Sequence, residues 1–283
     1  MAENNLWEKD LISKKRFRFG KNWLQYSKAI TIEKINHAED ALKKLIGLNS
    51  FERKSFLDVG CGSGLMSLAA RRLGAQVYSF DFDKESVNCT QRLKERYFPN
   101  DKKWTISEAS ALDKKFLNNL GKWDIVYSWG VLHHTGNMWL GLENMLYPLT
   151  SKEGILYIAI YNDEGSISNI WLKIKKFYNL NKFNEMVVKL IFIPFYSFVY
   201  VFFGLIKYKN PFYFFTNYKN KNRGMSIFYD FIDWLGGYPY EVAKPEEIIN
   251  FYQDKGLKLI NLKTTNRLGC NEYVFKRSSE NII

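Results

Sequence analysis

Residues 56–64 read F-L-D-V-G-C-G-S-G, an apolar run that ends in a carboxylate and breaks into a turn with glycine at every second position. With the helix-patterned stretch 65–73 directly behind it, the segment reads as a strand–turn–helix unit. Gly60, Gly62 and Gly64 let the backbone bend tightly and approach a ligand with no Cβ in the way. A unit of this kind sits at the carboxyl end of the first strand of a parallel sheet, which is where open α/β folds bind their ligands. The segment therefore points to an α/β fold with a nucleoside-type ligand at a strand tip.

Two ligand classes compete for such a turn. A dinucleotide fingerprint spaces its glycines G-x-G-x-x-G and places a pyrophosphate on the helix N-terminus. Here the third glycine comes one residue early, and Asp58 stands two residues before the first. A carboxylate there repels a pyrophosphate and suits a cation, such as the ammonium and sulfonium of S-adenosylmethionine. A second strand-like run, 76–80, ends in Asp81, 21 positions after Gly60, where an acid can accept from both ribose hydroxyls. That contact serves both ligand classes, so Asp81 signals an adenosine, while Asp58 and the glycine phase make the choice.

Four segments then stand in order: L-D-V-G-C-G-S-G, V-Y-S-F-D-F-D, A-S-A-L-D and D-I-V-Y-S-W-G-V-L-H-H. On these the chain resembles the class I S-adenosylmethionine-dependent methyltransferases, over residues 51–163 and a C-terminal hairpin, and within them the small-molecule O-methyltransferases of Leu-His-His type. The resemblance implies a doubly wound, seven-stranded Rossmann-like sheet with a C-terminal antiparallel hairpin. It implies S-adenosyl-L-methionine as cofactor and S-adenosyl-L-homocysteine as product. It places Asp58, Gly60, Cys61, Gly62, Gly64, Asp81 and Phe82 around the donor, Ser110, Ala111 and Leu112 along the adenine, and Ser128 and Trp129 at the donor from the end of the fourth strand.

The pattern along the chain supports that architecture. Strands are expected near 55–59, 76–80, 103–107, 123–128 and 154–161, and helices near 29–46, 64–73, 84–97, 113–120 and 137–147. Alternation stops after Asn162 and resumes with a helix at 245–252 and strands at 257–264 and 270–276. The expected organisation is an N-terminal arm and helix (1–50), a cofactor-binding core (51–164), a helical, aromatic lid inserted after the fifth strand (165–243), and a C-terminal helix and hairpin (244–283) completing the core. Within the lid, 190–206 is almost wholly apolar, but it holds only 17 residues, and Pro194 interrupts it. A single crossing would also strand the last two strands on the wrong side of a membrane. Ordinary lid core is the preferred reading, with peripheral membrane contact as the rival.

Methyl transfer is an in-line displacement that needs alignment, exclusion of water and, for a hydroxyl acceptor, a base. No metal is called for. Only three histidines exist in the chain, and His133 and His134 stand just past the fourth strand, where imidazole suits proton abstraction near neutral pH. The resemblance assigns a base to this segment without choosing between them; the plainer role is to cap a helix or fill the pocket. Asp163 is a candidate to orient the base or, equally, to cap the next helix. Tyr161, Asn162, Asp230, Asp233 and Trp234 are candidates for the acceptor, beside a Gly236–Gly237 pair that also reads as a helix stop. Arg223 and Lys21 are candidates to grip a phosphate.

The formal net charge of +12 implies acidic company, although the lysines are spread along most of the chain. Three scattered cysteines and a polar N-terminus suit the cytoplasm and argue against a disulfide framework. The expected partner is a small-molecule acceptor, phosphorylated or sugar-like, with no DNA. RNA is a weaker alternative, resting on the aromatic–basic segments 14–23 and 207–223. A quinone precursor is another, weakened because that branch usually carries Glu-His where this chain has His133-His134.

Overall fold

The computed structural model describes residues 17, 19–20, 23, 26–27, 30–221, 227–266 and 268–277, without the side chains of 218–221 and 228–229. Arg223 and Lys21, the candidate phosphate ligands, lie outside these residues. The first helix with described bounds, α1 (Ile32–Ile46), starts later than its apolar pattern because the Thr31 hydroxyl takes the N-cap role. Ile35, Ala38, Leu42 and Ile46 recur every three or four residues and are buried.

Seven strands form one sheet in the order β3-β2-β1-β4-β5-β7-β6. They are β1 (Ser55–Val59), β2 (Gln76–Asp81), β3 (Trp104–Glu108), β4 (Ile125–Trp129), β5 (Ile155–Tyr161), β6 (Leu257–Lys263) and β7 (Cys270–Arg277). The first five are parallel, and β7 runs antiparallel to both β5 and β6, the expected hairpin. The expected stretch 123–128 begins two residues early: Trp123 makes only an isolated bridge to Leu149 before β4 proper. Helices α2 (Leu65–Arg72), α3 (Lys84–Tyr97), α4 (Lys114–Asn119) and α5 (Met138–Asn144) cover the faces. Because side chains alternate across a strand, Phe56 faces the layer built on α1 and α2 while Leu57 and Val59 face the opposite one. Interior strands are covered on both sides, which is why β5 reads I-L-Y-I-A-I-Y with all but its last residue buried. The chain winds outward in both directions from β1 and β4, leaving a crevice at their carboxyl ends.

The insertion after β5 consists of α6 (Ser166–Tyr178), α7 (Lys182–Tyr208), α8 (Tyr213–Lys221) and α9 (Ile227–Gly236), followed by α10 (Pro245–Gln253) of the core. Here the structure corrects an expectation. Segment 190–206 is not lid core: only 6% of the most apolar 18-residue stretch of α7 is buried. Its inner face carries Asn184, Val188, Phe192, Tyr196, Tyr200 and Gly204, one residue in four, with Ile193 beside them, and most of the other apolar side chains look outward. The lid is too thin to surround a helix that is apolar on every side.

Candidate active site

Strand alternation that sends Leu57 one way sends Asp58 the other, beneath α2. Its carboxylate accepts from the Ser67 hydroxyl; Ser67 Oγ lies 2.7 Å from Ser79 Oγ, which in turn accepts from Trp104 Nε1 at 2.9 Å. Burial pushes Asp58 up to about 7, with the Ser67 hydrogen bond pulling the other way. Asp58 thus lies under the glycine turn and is not part of the cavity wall above it.

That cavity, about 1030 Å³, is bounded at one end by Gly60, Gly62, Asp81 and Phe82. Gly60 N and Cys61 N both donate to Phe80 O, at 2.9 and 3.0 Å, tying the turn to β2. Gly60 adopts φ 82°, and a Cβ there would fall 2.4 Å from Val131 Cγ2, so only glycine fits. Asp81, at the tip of β2, accepts from Gly62 N at 2.9 Å and Asp83 N at 2.8 Å. Burial raises it to about 6 against those two hydrogen bonds.

After β4 the chain makes a 3₁₀ turn over Leu132–His134, which points the two histidines differently. His133 is buried and turned inward: Nδ1 accepts from Tyr161 N at 3.3 Å, the ring lies 3.9 Å from that of Tyr161, and Nε2 has no hydrogen-bond partner among the described residues. Burial holds it well below the usual imidazole range, with His134 and Lys175 adding to the effect. His134 stands on the cavity wall, its Nδ1 2.6 Å from Pro239 O. A carbonyl only accepts, so Nδ1 holds the proton and Nε2 keeps its lone pair. Burial lowers His134 to about 3, opposed by the Pro239 hydrogen bond and reinforced by Lys175.

The partner of His134 Nδ1 is Pro239 O, not Asp163. Asp163 Oδ1 accepts from Gly165 N at 2.8 Å in the turn before α6, but the N-cap of that helix is Gly165 with no side-chain cap, so the capping reading is not met either; among the described residues Asp163 makes no hydrogen bond to a histidine. Tyr161, Asp230, Asp233 and Trp234 meet on the wall with Trp129. Asn162 is buried, holding Glu164 Oε1 and Asn271 Nδ2, away from the wall. Also off the wall are Cys61, whose Sγ accepts from Thr90 at 3.2 Å, Gly64, and Ser128, whose hydroxyl donates to Val59 O. Ser110, Ala111 and Leu112 fold back on themselves and on Asn144, which donates to Ala111 O.

Several wall residues escaped the sequence reading. Phe17, Phe19 and Trp23 reach in from the arm: Phe17 N donates to Tyr238 O at 2.9 Å, Gly20 N to Asp83 Oδ2 at 2.9 Å, and Phe19 lies 4.8 Å from His134. Gly236 admits the arm, since a Cβ there would lie 2.3 Å from the Phe17 ring. Val131, Tyr196, Tyr200 and Phe231 join them. Behind the wall, Lys175 is fully buried, donating to Trp234 O and lying 4.3 Å over the Trp234 ring. Burial lowers it to about 7. Its place at the phase of Ser168, Trp171 and Tyr178 on α6 was the available signal.

Residues 57–156 match the family model described as a methyltransferase domain. Ribosomal protein L11 methyltransferase of Helicobacter hepaticus is 42% identical over 60 residues, 20% of this chain and 19% of that protein. Ubiquinone biosynthesis O-methyltransferase of Bartonella quintana is 29% identical over 122 residues, 41% and 45% of the two chains. The chain thus spans less than half the length of these curated relatives. Among solved structures, PKMT2 of Rickettsia typhi superposes with a TM-score of 0.57 at 17% identity, covering 86% of this chain and 53% of that one. Magnesium protoporphyrin IX methyltransferase from Synechocystis, with bound SAH, gives 0.52 at 13% identity over 86% and 83%. The sheet order, the hairpin and the matched domain together make this a class I methyltransferase fold.

Proposed function

We propose that this chain, whose residues 57–156 are a methyltransferase domain, transfers the methyl group of S-adenosylmethionine to a hydroxyl of a small, ring-bearing acceptor, with His134 as the base. One observation carries the reading: a single cavity is walled at one end by the bare-backbone turn and Asp81 and at the other by His134 and the lid. At about 1030 Å³ it matches the upper end of the range for ligand sites, about 300–1,000 Å³, with room for donor and acceptor together. The residues fit the donor: Gly60 and Gly62 allow close approach, Asp81 can take ribose hydroxyls, and Phe82 and Trp129 offer apolar faces. When bound, S-adenosylmethionine supplies a methyl carbon activated by its sulfonium. Transfer would break its methyl–sulfur bond and release S-adenosylhomocysteine; His134 Nε2 would take the acceptor's hydroxyl proton, while Pro239 O holds the Nδ1 proton in place. The aromatic walls and the arm exclude water.

The wall chemistry narrows the acceptor. Among the described residues, five carboxylates line the cavity (Asp81, Asp83, Glu164, Asp230 and Asp233) and no lysine or arginine does. The five acids beside aromatic faces support a neutral, hydroxyl-rich ring such as a sugar, held on those faces by acid acceptors. The second reading, a quinone precursor, is supported by the curated O-methyltransferase relatives and by the apolar share of the wall. Labelled S-adenosylmethionine incubated with cell extract tests the assignment by mass spectrometry. Label should enter a small molecule with the parental protein and be nearly lost with His134→Ala. Tight NAD uptake with no heat from S-adenosylmethionine in calorimetry would remove the reading.

A further inference from the structure

The outward face of α7 is the largest feature of the molecule that methyl transfer leaves unused. Phe183, Leu190, Ile191, Phe195, Phe198 and Ile206 are each 58–67% exposed along one helix. At 27 residues, α7 is about 40 Å long. Phe177 and Ile170 of α6 and Phe212 beyond α7 add to the exposed apolar set. A face of this extent marks an interaction surface.

Charge identifies what covers it. Residues 166–223 contain ten lysines and arginines against a single acid, Glu185, and so carry most of the +12 of the chain. Lys173, Lys176, Lys182, Lys207 and Lys209 are exposed at the edges of the apolar surface, and 191–206 has no charge at all. An apolar, phenylalanine-rich face rimmed by lysines matches an anionic lipid surface, acyl chains within and phosphates around. A second copy of the chain would bring two lysine rims together.

The helix does not span. Its inner face is fastened along its length: Phe192 to Trp171 at 5.6 Å, Tyr196 to Phe231 at 5.3 Å, Tyr200 to Phe231 at 5.8 Å. Past Lys209 the chain doubles back at once, Tyr213 stacking on Tyr208 at 3.6 Å and Phe214 lying 5.4 Å from Tyr200. A Cβ at Gly204 would lie 2.8 Å from Asn210 O, so the return is packed against the helix.

We propose that this chain docks on an anionic bilayer through the outer face of α7, which lies in the plane of the interface with its lysine rim among the lipid phosphates. The cavity opens beside that face: Ile167 of α6 and Tyr196 and Tyr200 of α7 line it. An acceptor hydroxyl carried on an amphiphile is thereby presented from the lipid side. This last step rests on the methyltransferase reading; the docking does not.

The test is co-sedimentation of the full chain with phosphatidylcholine vesicles and with vesicles in which roughly a third of the lipid is phosphatidylglycerol. Binding to the anionic vesicles should exceed binding to the neutral ones by about tenfold or more, and raised salt should weaken it. The double variant Phe198→Asp, Phe202→Asp, at two exposed positions off the cavity wall, should lose binding while keeping the parental circular dichroism and donor heat. Lys207→Glu with Lys209→Glu should lose the preference for anionic lipid without touching the apolar face. Failure to bind anionic vesicles, or equal binding by the phenylalanine variant, overturns the proposal. So does a dimer in velocity sedimentation that the same variant dissolves, or retention in membranes after alkaline carbonate, which indicates a span. Absence of donor heat with vesicle binding intact would remove the methyltransferase reading alone.

Discussion

The carbonyl of Pro239 lies 2.6 Å from His134 Nδ1 across 105 positions of sequence, and it decides which imidazole nitrogen is free to act. His133, next in the chain, has the opposite arrangement: its Nδ1 accepts a backbone proton and its Nε2 is sealed in the interior. Adjacent histidines thus divide into one on the cavity wall and one packed against Tyr161.

His134→Ala is expected to lower methyl transfer by about 10²–10⁴-fold, the usual worth of a positioned base, with donor affinity changed little. Single-turnover transfer of label, with calorimetry of the donor, separates the two effects. His133→Ala should act mainly on stability, lowering the melting temperature, because its ring fills a buried site.

Donor affinity should rise with pH and level off near neutrality. Asp81 must be ionised to accept from ribose hydroxyls, yet burial holds it up to about 6 in the free protein. Each unit below that costs about tenfold in affinity. Calorimetric titration from pH 5 to pH 8 should show this slope in the parent, and Asp81→Asn should bind more weakly and flatten it.

Lys175 should make the protein less stable on the acidic side of its own titration. Its folded value, lowered to about 7 by burial, lies below the ordinary lysine value of about 10.5. Stability from this group is fully present only above about 10.5 and is lost as pH falls through about 7. Between pH 7 and pH 9 the gain should be about 1–3 kcal/mol in urea melts. Lys175→Met should remove that slope and, by taking a positive charge from behind both histidines, raise their pKa and move the acid limb of activity to higher pH.

Gly47 and Gly60 share nearly the same φ, 79° and 82°, but differ in surroundings. Nothing lies within 4 Å of a Cβ at Gly47, whereas one at Gly60 meets Val131. Gly47→Ala should cost about 1 kcal/mol from backbone strain alone, and Gly60→Ala about 2–4 kcal/mol with donor binding lost. Thermal denaturation and calorimetry of the pair check the difference.

Much of this molecule is written in short-range pattern. The turn at Gly60, the acid at Asp81, the strand–helix alternation and the closing hairpin depend on residues within a few positions of one another, and local backbone chemistry suffices to read them. Contacts closed over long loops were not legible. From sequence Asp58 faces a cation, but strand phase turns it under α2 to Ser67, a matter of which face the neighbouring layer occupies. Asp163, at the end of the neighbouring strand β5, is the nearer candidate by topology, yet Pro239, past the last helix of the lid, holds His134. Phe17 and Phe19 reach the cavity only because Gly236 and Tyr238 receive them, and the bareness of α7 follows from how few helices the lid has to cover it. Local geometry is set by neighbours along the chain; the choice among equivalent side chains is made by neighbours in space, which periodicity does not encode.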